Sequence, residues 1–255
     1  MTSSEAFSLK GERAVITGGG SGLGLAIAES MVACGADVVL LGRNEEQLKD
    51  ACSRLGEAHA HWYQYDVTEF DKAEEMIQGI TSLQGPITIL CNNAGKHCKK
   101  TVEEMTMEDF QEVLDVHVLG SIALTKAVLP QMEEAGKGSI LFTASMASFI
   151  GIPLTLGYSA SKSAFLGIVR ALATEVSPKG IRVNAIAPGW IETPLFRQMV
   201  DNDLPRQEKI LNRTPAGRFG RPEEIGWVCA FLCSPAAGFI TGTCLPVDGG
   251  ALIGF

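Results

Sequence analysis

The sequence predicts an α/β fold, a doubly wound parallel sheet of about seven strands, and three observations carry that expectation. Seven short apolar, β-branched runs lie at 14–16, 38–41, 59–65, 87–91, 139–143, 181–186 and 244–247. Longer helical patterns separate them, near 23–34, 44–55, 69–83, 106–133, 158–176 and 222–233. Alternation of this kind makes βαβ units, and right-handed crossovers then place helices on both faces of one sheet. The third observation is that the first run leads straight into a glycine-rich turn that opens a helix. The seven runs account for all 255 residues, with no repeat, linker or low-complexity tract, so one domain spanning 1–255 is preferred to two.

The first strand enters Thr17-Gly18-Gly19-Gly20-Ser21-Gly22-Leu23-Gly24. Glycines permit a tight turn and let a pyrophosphate approach the amides at a helix N-terminus, where the helix dipole favours negative charge. Placed between the first strand and the first helix, this loop points to a Rossmann-like dinucleotide site. Gly18, Ser21, Gly22, Leu23 and Gly24 are therefore candidate cofactor residues. The spacing of Gly18, Gly22 and Gly24 departs from the G-x-G-x-x-G of two-domain dehydrogenases. The second strand ends Leu41-Gly42-Arg43-Asn44. An acidic side chain there would bind a ribose 2′-hydroxyl and repel a 2′-phosphate. Gly42 stands in its place and Arg43, able to grip a phosphate, follows. NADP(H) is favoured, with NAD(H) as the alternative.

The third run holds His59 and His61 in a strand-like alternation without a carboxylate or cysteine at ligand spacing, so no metal site is expected. The seven cysteines are scattered. Even Cys229 and Cys233, one helical turn apart, read as small buried thiols in a reducing cytoplasm. Two helices are unusually apolar. Between Val113 and Leu129 the ionisable residues are Asp115, His117 and Lys126, and between Ser159 and Ala173 they are Lys162 and Arg170. A helix on a sheet needs one apolar face, so a second one suggests burial in a partner subunit and a homo-oligomer, dimer or tetramer.

Ser145 closes the fifth strand, at the carboxyl edge where open α/β sheets bind ligands. Tyr158 and Lys162, four apart, share one face of the next helix. A neighbouring ammonium lowers a phenol's pKa and makes tyrosine a usable acid or base near neutrality. Residues 190–218 form the longest stretch without a strand, as substrate-covering loops do. Trp190 and the Lys96-His97-Cys98 segment are within reach of a substrate by this reading.

Composition narrows the function. The balance of 21 basic and 29 acidic residues, net −8, argues against nucleic-acid binding and weighs against docking a strongly acidic protein. No apolar run approaches the ~18 residues of a membrane span, and the start lacks a basic, then apolar leader. A cytoplasmic enzyme with a small-molecule substrate is expected.

Taken together, these residues resemble the short-chain dehydrogenase/reductase family, in its single-domain form. The likeness runs from Lys10 to Gly250 through the 17–24 loop, Asp66-Val67, Asn92-Asn93-Ala94-Gly95, Ser145, Tyr158-Ser159-Ala160-Ser161-Lys162, Pro188-Gly189 and Val247-Asp248-Gly249-Gly250. Ser145 precedes Tyr158 by thirteen, the family's usual interval. The resemblance implies that Tyr158 passes a proton to or from the substrate oxygen, that Ser145 holds that oxygen, and that Lys162 binds the nicotinamide ribose. It implies that Asp66 and Val67 contact adenine, and that Asn93, Ala94 and Gly95 line the cofactor. Ile191 and Thr193 would hold the carboxamide after Pro188-Gly189.

One departure stands out: His117 occupies the place of the family's helix asparagine, which supports a proton-carrying water chain. His117 either relays protons itself, since imidazole titrates near neutral pH, or is a satisfied core histidine. The reaction expected is alcohol/ketone interconversion on a sugar, sugar acid or polyol. A 3-oxoacyl-ACP reductase of fatty-acid synthesis is the first alternative, and a non-catalytic nucleotide-sensing regulator on the same fold the second.

Overall fold

A parallel sheet is buried on both faces, so its strands need apolar residues pointing both ways. The computed structural model, which describes residues 2–201 and 203–254, shows how the runs supply them. Strands β1 (Arg13–Thr17), β2 (Asp37–Gly42), β3 (Ala60–Gln64), β4 (Ile89–Asn92), β5 (Gly138–Thr143), β6 (Ile181–Pro188) and β7 (Cys244–Val247) form one sheet in the order β3-β2-β1-β4-β5-β6-β7. Every pairing is parallel. Successive side chains alternate between two apolar layers. Ala14, Ile16, Val38 and Leu40 enter one of them, whereas Val15, Val39 and Leu41 enter the other.

The helices are α1 (Ser3–Ala6), α2 (Gly22–Ala33), α3 (Glu45–Leu55), α4 (Ala73–Gln84), α5 (Met107–Leu114), α6 (Gly120–Ala135), α7 (Leu156–Val176), α8 (Pro194–Val200), α9 (Leu204–Arg213) and α10 (Pro222–Cys233). The first layer is covered by α2, α3 and α10, and the second by α4, α6 and α7. The order reverses direction between β1 and β4, which opens a crevice at their carboxyl ends.

Two regions differ from the sequence expectation. The single helix expected over 106–133 is interrupted by a π-turn at Asp115–Leu119. The wider turn carries His117 inward, and Gly120 then passes so close to β3's exit that a Cβ there would sit 2.6 Å from the Val67 carbonyl oxygen. The apolar stretch Met107–Ala135 is long and apolar enough to cross a membrane by length and composition, contrary to the expectation that none is. In the fold its Leu124, Val128 and Met132 are buried in the second layer. The strandless 190–218 segment carries α8 and α9, both announced by cap chemistry. Thr193 accepts from the Phe196 amide (3.2 Å) and Asp203 from the Arg206 amide (3.1 Å), with Pro194 and Pro205 in the first turns.

Candidate active site

The cofactor side is built from backbone. Gly18 and Gly22 adopt positive φ (66° and 54°), which an L side chain takes only with strain. A Cβ on Gly24 would lie 2.1 Å from the Gly18 carbonyl oxygen, so the loop closes on the first turn of α2 only with glycine there. Ser21, the N-cap of α2, makes no side-chain cap hydrogen bond. The first-turn amides of a helix have no intrahelical acceptor, and these lie open toward the crevice as an anion cradle.

Thr17, which opens the glycine loop and had no role assigned from sequence, ties this loop to β4. Its hydroxyl oxygen accepts from the Asn93 and Ala94 amides (both 2.9 Å), and Asn93 Nδ2 donates to the Thr17 carbonyl (3.0 Å). A Cβ on Gly95 would meet His117 Cε1 at 2.6 Å. At the far end of the crevice Arg43 extends into solvent, 79% exposed, 3.8 Å from Asp66. Asp66 also caps its own turn, accepting from the Thr68 amide and hydroxyl (3.0 and 2.8 Å). Val67 is buried beside it. The residues present therefore fit a dinucleotide: glycine turns, open helix amides and a guanidinium at the end of β2.

The reactive side is a cleft of about 180 Å³ at the carboxyl ends of β5 and β6. It brings together Ser145, Tyr158, Leu23, Pro188, Gly189, Trp190, Ile191 and Thr193 from four separate segments. Ser145 Oγ accepts from the Ala147 amide (3.1 Å) and also engages the Tyr158 phenol, an interaction that favours ionisation. Burial of the phenol outweighs this and pushes its pKa up. The expected lowering by Lys162 is not what this structure shows. Lys162 is itself buried, and desolvation brings its own pKa down to about 7. Its Nζ donates to the Thr143 carbonyl (2.5 Å) and lies 5.6 Å from the centre of the Tyr158 ring.

His117 is buried, and desolvation together with the Lys162 charge holds its pKa at about 2, so its imidazole is neutral throughout the physiological range. Of the two readings of this residue, relay by charging loses its premise. Nε2 lies within hydrogen-bonding distance of the Lys96 amide and carbonyl (3.0 and 2.8 Å), whereas Nδ1 is buried without a partner among the described residues. His117 thus anchors the 95–97 turn. That turn in turn stacks His97 on Tyr158, ring centres 4.4 Å apart. Two aromatic side chains of the strandless segment close the cleft: Trp190 and Phe196, 6.1 Å apart. Thr143 and the lid residue Phe196 were not singled out from sequence. Each acts through a contact between segments, which no local pattern announces.

Residues 18–251 match the family model described as enoyl-(acyl carrier protein) reductase. The chain belongs to the short-chain dehydrogenase/reductase family, and it is an oxidoreductase of the alcohol/ketone class that family defines. It is 36% identical over 250 residues to a 2-dehydro-3-deoxy-D-gluconate 5-dehydrogenase of Bacillus subtilis, covering 97% of each chain. It is 34% identical over 249 residues to a 3-oxoacyl-[acyl-carrier-protein] reductase of Thermotoga maritima, covering 96% of this chain and 99% of that one. The solved gluconate 5-dehydrogenase of Burkholderia cenocepacia, in complex with NADP and tartrate, superposes with a TM-score of 0.93 at 31% identity, covering 98% of each chain.

Proposed function

We propose that this protein is an NADP(H)-linked oxidoreductase of a sugar, sugar acid or polyol, acting at an alcohol/ketone carbon. The observation that carries the reading is one cleft lined by Ser145 and Tyr158, with Lys162 bonded to Thr143 of its wall, beside a glycine-built dinucleotide cradle. When bound, the nicotinamide supplies the hydride acceptor or donor. Tyr158 gives or takes the proton at the substrate oxygen, and the Ser145 hydroxyl holds that oxygen against the phenol. Lys162, fixed by the Thr143 carbonyl beside the Tyr158 ring, would hold the cofactor ribose. Asn93, Ala94 and Gly95 floor the crevice, Asp66 and Val67 border the adenine end, and Pro188-Gly189, Ile191 and Thr193 border the nicotinamide end. Trp190 and Phe196 exclude water from the cleft.

Arg43 supports NADP(H) over NAD(H), and the solved relative in complex with NADP adds to it. Acyl-carrier docking loses its local support. Of the three lysines near the cleft, Lys96 pairs with Glu112 and Lys100 with Asp109, which weakens a basic docking patch there. Initial rates with sugar acids, polyols and an acyl thioester, followed by nicotinamide absorbance with both cofactors, test the reading. Turnover of the hydroxylated substrates with NADP(H) at least about tenfold above NAD(H) is expected, and Arg43→Ser should erase that ratio. Equal rates with both cofactors defeat the Arg43 argument, and exclusive use of the thioester defeats the substrate class.

Homo-oligomerisation and a cytoplasmic location belong to the same proposal. The exposed apolar Leu119 of the π-turn and the half-buried Ile122 on α6 support the first. A solution mass from light scattering equal to one chain would overturn it.

A further inference from the structure

Two histidines pack against Tyr158, and they are held differently. His117 meets the phenol ring edge-on, with ring centres 5.5 Å apart and planes at 82°, and its Nε2 is committed to the Lys96 backbone. His97 lies on the face of the phenol ring, with centres 4.4 Å apart and planes within 26° of parallel. It is exposed on the wall of the cleft that Thr143, Ser145 and Tyr158 also line. Neither of its ring nitrogens has a hydrogen-bond partner among the described residues.

The backbone around this ring is tied down on both sides. His117 Nε2 lies against the Lys96 amide and carbonyl, the Lys96 side chain pairs with Glu112 of α5, and Lys100 pairs with Asp109 of the same helix. Residue 97 is thus placed by its neighbours while its own imidazole stays uncommitted. Desolvation, followed by the Lys162 and Lys99 charges, lowers the His97 pKa below the ordinary 6.5, so the ring is neutral at neutral pH. A neutral imidazole offers one N–H donor and one acceptor nitrogen. Both lie in the plane of the ring, and here that plane runs nearly parallel to the phenol. His97 is therefore poorly placed to exchange a proton with the phenol beneath it and well placed to bond a group that stands beside the phenol. In a bound ketone or alcohol the reacting oxygen is taken by Tyr158 and Ser145. The nearest further oxygen of a hydroxylated substrate is the one on the adjacent carbon.

We infer that His97 is a specificity-determining residue, one that bonds a hydroxyl on the carbon next to the reacting one and so selects vicinal diols and α-hydroxy ketones over lone alcohols and ketones. The inference rests on the reading of Ser145 and Tyr158 as the reacting centre, because it is their hold on the reacting oxygen that brings the adjacent carbon to His97. A hydroxyl both donates and accepts, so either tautomer of the imidazole serves. A substrate without that hydroxyl displaces water from the imidazole and returns no hydrogen bond, which is how a site built for a hydroxyl rejects the analogue that lacks it.

The test is reduction with NADPH of two pairs of ketones that differ by one hydroxyl next to the carbonyl: acetoin against butan-2-one, and 2-hydroxycyclohexanone against cyclohexanone. Wild-type kcat/KM should favour the hydroxy ketone of each pair by about tenfold or more. His97→Phe keeps a stacked ring without hydrogen-bonding atoms and should lower that preference about tenfold. His97→Asn keeps a donor and an acceptor without the ring and should restore part of it. The Kd for NADPH reports that both variants are folded. A preference that His97→Phe leaves unchanged overturns the role of His97, as does a wild type that reduces both members of each pair equally. If His97→Asn loses the preference as completely as His97→Phe, the stacked ring and not its nitrogens is responsible, and the hydrogen bond is overturned. Binding of NADPH without reduction of any of the four ketones sinks the reading of the reacting centre itself, and the inference falls with it.

Discussion

The two ends of the crevice are made of different material. At the β1–β2 end the ligand surface is backbone: glycines with positive φ, a close approach at Gly24, and open amides at the start of α2. At the β5–β6 end it is side chains, drawn from the turn after β4, the end of β5, the start of α7, the exit of β6 and two helices of the cover. A backbone surface constrains residue type at fixed spacing, so it leaves a mark in sequence. A side-chain surface constrains only where distant segments meet in space. The first kind binds what the family shares, and the second is free to differ between members.

The largest expected effect breaks the backbone end. Gly24→Ala places a Cβ where the Gly18 carbonyl oxygen stands 2.1 Å away. The Kd for NADP+, measured by calorimetry, should weaken by about a hundredfold or more, because the anion cradle cannot close. Gly79→Ala serves as the contrast. It lies in α4 with no atom within 4 Å of the added Cβ, and it should stabilise by about 0.5–1 kcal/mol. Unchanged cofactor binding in Gly24→Ala would show that the loop is not the binding element.

The next prediction concerns the joint between the two ends. His117 has a folded pKa of about 2 against an ordinary 6.5. Below pH 6.5 the unfolded chain takes up a proton that the fold refuses, so stability falls as pH drops, by up to about 1.4 kcal/mol per pH unit from this group. Above 6.5 the group contributes no slope. His117→Asn removes the titration, so urea midpoints between pH 6.5 and 4.5 should fall less steeply in the variant than in wild type. Parallel slopes would mean that the imidazole is not held neutral.

A smaller effect sharpens the side-chain end. Phe196 is buried between Trp190 and Phe219, with ring centres at 6.1 and 5.0 Å. Phe196→Ala should raise the substrate KM severalfold by loosening the cover, while the Kd for NADP+ stays within about twofold. Equal losses for both ligands would show that the cover belongs to the cofactor site as well.

The same division explains what could be read in advance. The seven strands and their helices were legible because apolar runs and helical periodicity alternate without interruption. The glycine loop, Ser145, Tyr158 and Lys162 were legible from spacing and place in the fold. The π-turn was not, since Asp115–Leu119 carries ordinary helix residues and widens only so that His117 can reach Lys96. Helices α8 and α9 had cap signals in Thr193-Pro194 and Asp203-Leu204-Pro205, but the lack of a strand outweighed them. The raised phenol pKa was beyond sequence because it depends on how deeply Tyr158 and Lys162 are buried together.

The central claim is that the cleft is a reacting centre in which Tyr158 exchanges the substrate proton. The turnover number of Tyr158→Phe, on a hydroxylated substrate that wild type oxidises with NADP+, tests it most directly. The account predicts a fall of about 10²–10⁴ in kcat with the Kd for NADP+ retained. A variant that keeps wild-type kcat while binding NADP+ normally would contradict it.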